Sequence, residues 1–470
     1  MEEILSLEPF TKIAQKNKNS LRFVTFNVNG VKTIFNYHPW NKFKNDFNAM
    51  FNSLQADVIT LQELKLTEQT MSSLRNIGHL QDFRSFISLP TTKKGYSGVG
   101  LFVRIPKTPA QAKWLTIKRA EEGITGWLSD RNGNVYQNHP DFDSIGGYPR
   151  ISKEEGLELD SQGRCVVVEL DNNCVVFAVY CPANSLGTEE GENYRLKFLQ
   201  CLLERCHYLK FQCKKDVILM GDINVSLDLI DSAEGIKDRL VGKLITDALD
   251  GHQFEVQNYE ECCKFKTSRQ SRELMNKYVI RSLWQGMEEM QNNNQFLYDT
   301  TRYIQGRRKN MYTVWNTLTS SRQINFGSRI DLVLCSSYEM MKKISKADIW
   351  PFILGSDHCP VFTDFDLLDD EEENKLSSSS SSSSLTTTLT SEKLPFEAKN
   401  HYRLNKSKDI SSFFGKSESS TESENERSTS TKPSTPDEAY PKLKKPRVLT
   451  YTSRKATKSS SQKPISKFFS

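Results

Sequence analysis

Glu63, Asp222 and Asp331 each sit at one end of a short apolar run, and Asp357-His358 follows Gly355-Ser356 just ahead of a proline-started strand. Asn27 and Asn29 follow Leu21–Phe26, Tyr180 closes Val175–Val179, and Asn224 lies two residues beyond Asp222. His358 is one of seven histidines, and two carboxylates could orient it, Asp357 beside it and Asp331 further upstream. An imidazole held by a carboxylate, next to further acids, suits metal-assisted phosphoester hydrolysis. Glu63 is the kind of oxygen ligand that Mg²⁺ prefers. Asp222 with Asn224 suits a base, or an orienter of attacking water, with a neutral hydrogen-bonding companion. Taken singly, each has an ordinary reading. Asp and Asn after a strand are turn formers, Tyr180 is a core-edge residue, and His358 is a satisfied histidine at a surface turn.

The elements that must carry these residues alternate between strands and helices. Leu21–Phe26, Val58–Leu61, Ser97–Val103 and Val217–Met220 read as strands, and Val166–Val168 and Val175–Val179 flank Asp171-Asn172-Asn173 as an antiparallel hairpin. Trp40, Phe43, Phe47, Met50 and Leu54 recur at steps of three and four, which predicts one amphipathic helix, and Leu199, Leu202, Leu203 and Cys206 mark another. Strands and helices mixed with a hairpin give a layered α/β fold with partly antiparallel sheets. Strand ends are rigid platforms, so residues placed there can converge from distant positions.

Composition limits the alternatives. The 470 residues leave room for one large or two ordinary domains. All ten cysteines lie between Cys165 and Cys359 with no CxxC pair, which reads as reduced core residues in a cytosolic or nuclear protein. No stretch approaches a membrane-spanning length of apolar residues. After Leu368 come Asp369–Glu373, eight serines and a Thr-rich stretch. Such composition buries too little apolar surface to offset ordering entropy, so the fold is expected over 1–368 and a disordered tail over 369–470.

The chain resembles the exonuclease III-like branch of the endonuclease/exonuclease/phosphatase superfamily. The blocks that carry this are Phe26-Asn27-Val28-Asn29-Gly30, Leu61-Gln62-Glu63-Leu64-Lys65, Ser97-Gly98-Val99-Gly100, Gly163-Arg164, Tyr180-Cys181-Pro182, Gly221-Asp222-Ile223-Asn224, Ser328-Arg329-Ile330-Asp331 and Ser356-Asp357-His358-Cys359-Pro360. Asn29, Glu122–Gly126, Leu159–Cys165, Asp299–Arg302 and Tyr312–Asn316 look like the second eukaryotic class of abasic (AP) endonucleases, fungal-type and without a C-terminal zinc module.

The resemblance implies a four-layer, DNase I-like α/β sandwich: two mixed or antiparallel sheets flanked by helices, with the site at one edge. It also implies catalytic roles for Tyr180, Asp222, Asn224, Asp331 and His358, and a metal site drawn from Asn29, Glu63, Asp222, Asn224, Asp357 and His358. The metal would be Mg²⁺, with Mn²⁺ as a substitute. DNA or phosphate contacts are implied for Asn27, Arg164, Asn184, Trp315 and Arg329. The activity implied is base-excision-repair cleavage of DNA with abasic sites or blocked 3′ ends, as AP endonuclease, 3′-phosphodiesterase and 3′–5′ exonuclease. The sequence departs from the pattern in two ways. Tyr180-Cys181-Pro182-Ala183-Asn184 carries an extra residue before its asparagine, and Val314 and Ser328 replace bulky aromatics of the first class. A roomier pocket should discriminate less against a normal 3′ nucleotide.

Residues 264–311 interleave Lys264, Lys266, Arg269, Arg272, Arg302, Arg307, Arg308 and Lys309 with Phe265, Trp284, Phe296 and Tyr298, which suits phosphate contacts and stacking. In the tail, Gln462, Ile465, Phe468 and Phe469 fit a motif that docks on the sliding clamp (PCNA), and Ile410–Phe414 repeats its apolar part. Lys442–Arg447 reads as a nuclear import signal or a nucleic-acid patch. A monomer in the nucleus is expected, with no membrane association. A phosphoinositide- or RNA-directed enzyme of the same superfamily would share the core, but the clamp motif and the exonuclease III-like blocks argue against it. A non-enzymatic clamp-bound scaffold would show decayed site residues, and none has decayed.

Overall fold

The computed structural model describes residues 9–74, 77–139, 144–280, 295–368 and 394–404. The chain divides into two units, residues 1–405 with 465–470, and residues 406–464. The second unit lies outside the described residues, as do the clamp motif, Ile410–Phe414 and Lys442–Arg447.

Two sheets form the first unit. One contains β1 (Ser20–Asn27), β2 (Val58–Gln62), β3 (Phe83–Ser88), β4 (Val99–Arg104), β14 (Ile344–Ile349) and β15 (Val361–Asp366), in the order β14-β15-β1-β2-β4-β3. The other contains β5 (Ile117–Glu122), β6 (Cys165–Leu170), β7 (Cys174–Tyr180), β8 (Asp216–Asp222), β9 (Val279–Ile280), β10 (Leu297–Asp299) and β13 (Asp331–Cys335), in the order β5-β6-β7-β8-β13-β10-β9. A separate hairpin pairs β11 (Val314–Trp315) with β12 (Gly327–Ser328).

Side chains alternate between the two faces of each strand. Phe23, Val58, Leu101, Val168, Val176, Met220 and Val333 therefore meet between the sheets. Their neighbours Val24, Ile59 and Phe102 pack outward against Trp40, Phe47 and Met50. On the opposite flank Phe177, Val179, Leu219 and Leu332 pack beneath Phe198, Leu202 and Cys206. This is the expected four-layer sandwich. The helix Glu189–Phe211 starts cleanly because Thr188 caps the Gly191 amide and Glu189, Glu190 and Glu192 complement the N-terminal dipole.

Two pairings place the site. Parallel β1 and β2 bring Asn27 opposite Gln62, beside Glu63. In the other sheet Tyr180 lies opposite Asp222 on parallel β7 and β8, and Asp222 lies opposite Asp331 on antiparallel β13.

Two expectations need correction. The helix expected across Trp40–Leu54 is two pieces, a 3₁₀ turn Trp40–Phe43 and an α-helix Phe47–Ser53. Lys44 and Asn45 adopt left-handed backbone between them, and Asp46 restarts the helix by accepting from the Ala49 amide. The apolar face survives the break because both pieces pack on the same sheet.

The fold also continues past Leu368. Residues 394–404 strap the open edge of the first sheet, with Glu397 bridging to Phe86 on β3 and pairing with Arg84 at 2.7 Å. Leu394, Phe396 and Ala398 are buried, and the Tyr402 hydroxyl donates to the Ile87 carbonyl at 2.8 Å. Each fully buried large apolar side chain contributes about 1.5–3 kcal/mol. A protein ending at Leu368 is therefore expected to melt several degrees below one ending at Asn405. Equal melting temperatures in calorimetry would show the strap to be dispensable.

Candidate active site

Asn27 joins the two sheets. Its amide donates to Glu63 Oε1 at 3.0 Å and to Asp222 Oδ2 at 2.9 Å, and its own carbonyl oxygen accepts from the Asn29 backbone at 3.0 Å. The backbone bends sharply around it: Asn29, Glu63, Lys65 and Asn224 all have left-handed φ between 48° and 57°. Such conformations cost free energy in non-glycine residues and persist where the surroundings over-determine them. Here the Gly30 amide reaches the Glu63 carbonyl at 2.8 Å and the Lys65 amide reaches the Ser97 carbonyl at 2.8 Å, which locks the three turns together.

The second half of the site is a buried relay. Asp331 Oδ2 accepts from the Thr313 hydroxyl at 2.7 Å and pairs with His358 Nδ1 at 2.8 Å. His358 then presents Nε2 toward Asp222 Oδ2 at 3.9 Å. Asp331, not Asp357, thus orients the imidazole. Asp357 turns the other way and accepts from Asn29 Nδ2 at 2.9 Å. Ser356 fixes the turn, donating to the Asn27 carbonyl at 2.7 Å while its hydroxyl oxygen accepts from the His358 amide at 3.2 Å.

The electrostatics follow from crowding. Burial, and then repulsion from Asp331, push the Asp222 carboxyl up to about 8, although His358 works against the rise. Burial alone would lower the His358 pKa, but the Asp331 charge and hydrogen bond outweigh it and raise the group to about 10. Burial likewise works to raise Glu63, yet Lys65 and the Asn27 hydrogen bond overcome it and hold Glu63 below its ordinary value.

Ligand atoms of Glu63, Asp222 and His358 lie within 4.8 Å of one another. Lys65 Nζ sits 2.9 Å from Glu63 Oε2 and also donates to Asn29 Oδ1. A cation already fits between these two oxygens, and Asp331 keeps a buried oxygen without a hydrogen-bond partner. A donor set dominated by carboxylate and amide oxygens suits a hard divalent ion.

The remaining expected residues divide. Tyr180 is buried at the end of β7 beneath Arg164, whose guanidinium lies 4.7 Å from its ring centroid and donates to Tyr96 Oη at 2.9 Å. Burial raises the Tyr180 hydroxyl well above its ordinary value, so it stays a neutral donor. Asn224 donates its amide to the Cys181 carbonyl at 2.8 Å and its backbone N–H to Asp222 Oδ1 at 3.0 Å, so it shapes the turn more than it offers a ligand. Trp315 is buried, and its backbone N–H donates to the Asp357 carbonyl at 3.1 Å.

Asn184 is not brought into this cluster. Its amide and its oxygen are both taken up by the Thr188 backbone, at 2.9 and 3.2 Å, because the extra residue before it turns the loop into a helix lead-in. Arg329 is only 1% exposed and binds Asp231 and Asp299, so it braces the fold and faces no phosphate. Half of the basic residues singled out in the 264–311 stretch are likewise engaged internally, while Lys264 and Arg308 are exposed. Arg302 pairs with buried Asp231, Arg307 pairs with Asp228 and Glu255, Lys266 pairs with Asp228, and Arg272 donates to the Ser226 and Phe265 carbonyls. Phe265 and Phe296 are core residues, and Trp284 lies outside the described residues.

Sequence reasoning missed Thr313, Lys65 and Ser356 as site residues. All three lie inside blocks already singled out, Tyr312–Asn316, Leu61–Lys65 and Ser356–Pro360, so neighbourhood was the available signal.

A family profile described as "Endonuclease/Exonuclease/phosphatase family" matches residues 24–358, a span that holds every residue of the cluster. The chain belongs to the endonuclease/exonuclease/phosphatase family. Within the family it is 44% identical over 372 residues to the Saccharomyces cerevisiae protein named DNA-(apurinic or apyrimidinic site) endonuclease 2, covering 77% of this chain and 69% of that one. The Schizosaccharomyces pombe protein of the same name is 34% identical over 73% of this chain, which spans 58% of its length. Among solved family structures, the catalytic domain of Xenopus laevis APE2 superposes with a TM-score of 0.52 at 26% identity, over 73% of this chain and 91% of that one.

Proposed function

We propose that this chain is a DNA-repair nuclease that hydrolyses DNA phosphodiesters with Mg²⁺, Mn²⁺ serving as a substitute, at abasic sites and at blocked or normal 3′ ends. The observation that carries the reading is the Asn27 amide spanning Glu63 and Asp222 beside the Asp331–His358 pair. Similarity to proteins named for apurinic or apyrimidinic sites supports the substrate class.

Glu63 and Asn29 would hold the ion, with Asp357 set behind Asn29. The ion when bound supplies charge neutralisation at the scissile phosphate. Asp222, whose two oxygens accept from the Asn27 amide and the Asn224 backbone N–H, takes a proton from the attacking water. The water oxygen bonds to phosphorus as the bond to the leaving oxygen breaks. His358, kept cationic by Asp331, donates Nε2–H to a non-bridging oxygen, and the neutral Tyr180 hydroxyl, set by Arg164, donates toward the same phosphate. The clamp-like residues Gln462, Ile465, Phe468 and Phe469 of the sequence would recruit the protein to PCNA in the nucleus. It would act as a monomer.

Val314 and Ser328 face each other across the β11–β12 hairpin, and Val314 bridges to His358. Two small side chains on the hairpin that bridges to His358 would leave room for a base. Trimming of recessed 3′ ends and removal of 3′ blocks should therefore at least match incision at internal abasic sites. Far faster internal incision, measured on one labelled duplex carrying both features, would overturn this specificity.

A further inference from the structure

The loop that carries Asp357 and His358 has almost no ladder of its own, yet buried backbone carbonyls need donors. One side chain supplies most of them. Arg322 donates through Nη1 to the Ser356 carbonyl at 2.8 Å and the His358 carbonyl at 3.4 Å. Through Nη2 it donates to the Pro351 carbonyl at 3.0 Å and the Ile353 carbonyl at 2.7 Å. Its guanidinium also stacks 4.4 Å from the centroid of Trp315, the residue whose amide takes up the Asp357 carbonyl.

Arg322 has no carboxylate partner in ion-pair range among the described residues, and its Nε is buried without an acceptor. Even partly burying a cation against neutral carbonyls is costly, so simple stability is a poor reason for this choice. The planar fork with its five donors is the feature that an ammonium or an amide could not copy. It gathers four carbonyls from one turn into a fixed array, and two of them belong to Ser356 and His358.

We infer that Arg322 is a positioning residue for the nuclease reaction: it sets the Ser356–His358 turn, and with it the distance from His358 to Asp222, from the far side of that turn. This rests on the nuclease reading above. It also joins the loop 316–326, where Leu318 and Ile324 stand exposed, to the reacting groups.

The test compares wild type with Arg322→Met and Arg322→Lys in cleavage of a duplex with an abasic analogue and a recessed 3′ end. Wild-type cleavage tests the nuclease reading, and the ratio of variant to wild type tests Arg322. Arg322→Met should lose about 100-fold in kcat, the scale of an ångström-sized misplacement. KM, and DNA binding by anisotropy in EDTA, should stay within about twofold. Arg322→Lys should fall between the two because it keeps donors but loses the fork. On a His358→Ala background, Arg322→Met should cost under about threefold, since both changes act through one group. A full additive loss on that background, or an unchanged kcat in Arg322→Met, would overturn the assignment. If Arg322→Met does not fold, Arg322→Lys with and without His358→Ala gives the same decision.

Discussion

Asp222→Asn is expected to lower the rate of DNA cleavage by about 10⁴-fold or more while leaving the protein folded, because groups that act together at a reacting centre lose activity nearly as a unit. The separation of the two effects comes from the site's geometry. Asp222 is buried and lies in register with Asp331, and this crowding raises its pKa to about 8. Asparagine keeps the shape and removes the repulsion. It also turns one oxygen into a donor, against either the Asn27 amide or the Asn224 backbone N–H, which costs about 1–3 kcal/mol. The two contributions oppose each other, so the melting temperature should move by only a few degrees. Loss of the base has no such offset. Cleavage within tenfold of wild type, measured by single-turnover kinetics, would remove Asp222 from the reaction.

Arg329→Met should do the reverse. Arg329 places Nε 2.8 Å from Asp231 and Nη2 2.7 Å from Asp299, and Asp231 also pairs with Arg302. Removing one member of a buried ionic network leaves the others uncompensated, at about 3–5 kcal/mol. Chemical denaturation should report that loss. DNA affinity should stay within about twofold, and the slope of its logarithm against log salt should not change, because no phosphate contact is lost. A slope reduced by about one would return Arg329 to the DNA interface.

The same residue shows where sequence reading stops. An arginine beside a catalytic motif has one letter whether it meets a phosphate or an aspartate 30 or 98 residues away. Nothing local marks Asp231 and Asp299 as its partners. Asp222, Asp331 and Tyr180 were legible for a physical reason: each is the terminal residue of an apolar strand, and strands buried on both faces are the clearest signal that a chain offers. Their convergence depends on register, such as Tyr180 opposite Asp222, which local pattern does not contain. The bridging role of Asn27 was hidden for the same reason.

Local detail failed at two other places. The apolar spacing from Trp40 to Leu54 reports which face is buried, and a left-handed pair at Lys44-Asn45 leaves that spacing intact while ending the helix. In the strap, Leu394, Phe396 and Ala398 alternate with Pro395 and Glu397 over a stretch too short to stand out from the serine-rich surroundings. They fold because β3 offers an open edge, which is a property of the sheet and not of the segment.

The central claim is that the Glu63, Asp222, Asp331 and His358 cluster hydrolyses DNA phosphodiesters with a divalent ion. Residues 1–405 incubated with a duplex carrying one abasic analogue and a recessed 3′ end, with Mg²⁺ and in parallel with EDTA, test it directly. The account predicts cleavage at both features with Mg²⁺ and none with EDTA. An intact duplex in Mg²⁺, or equal cleavage in EDTA, would contradict it.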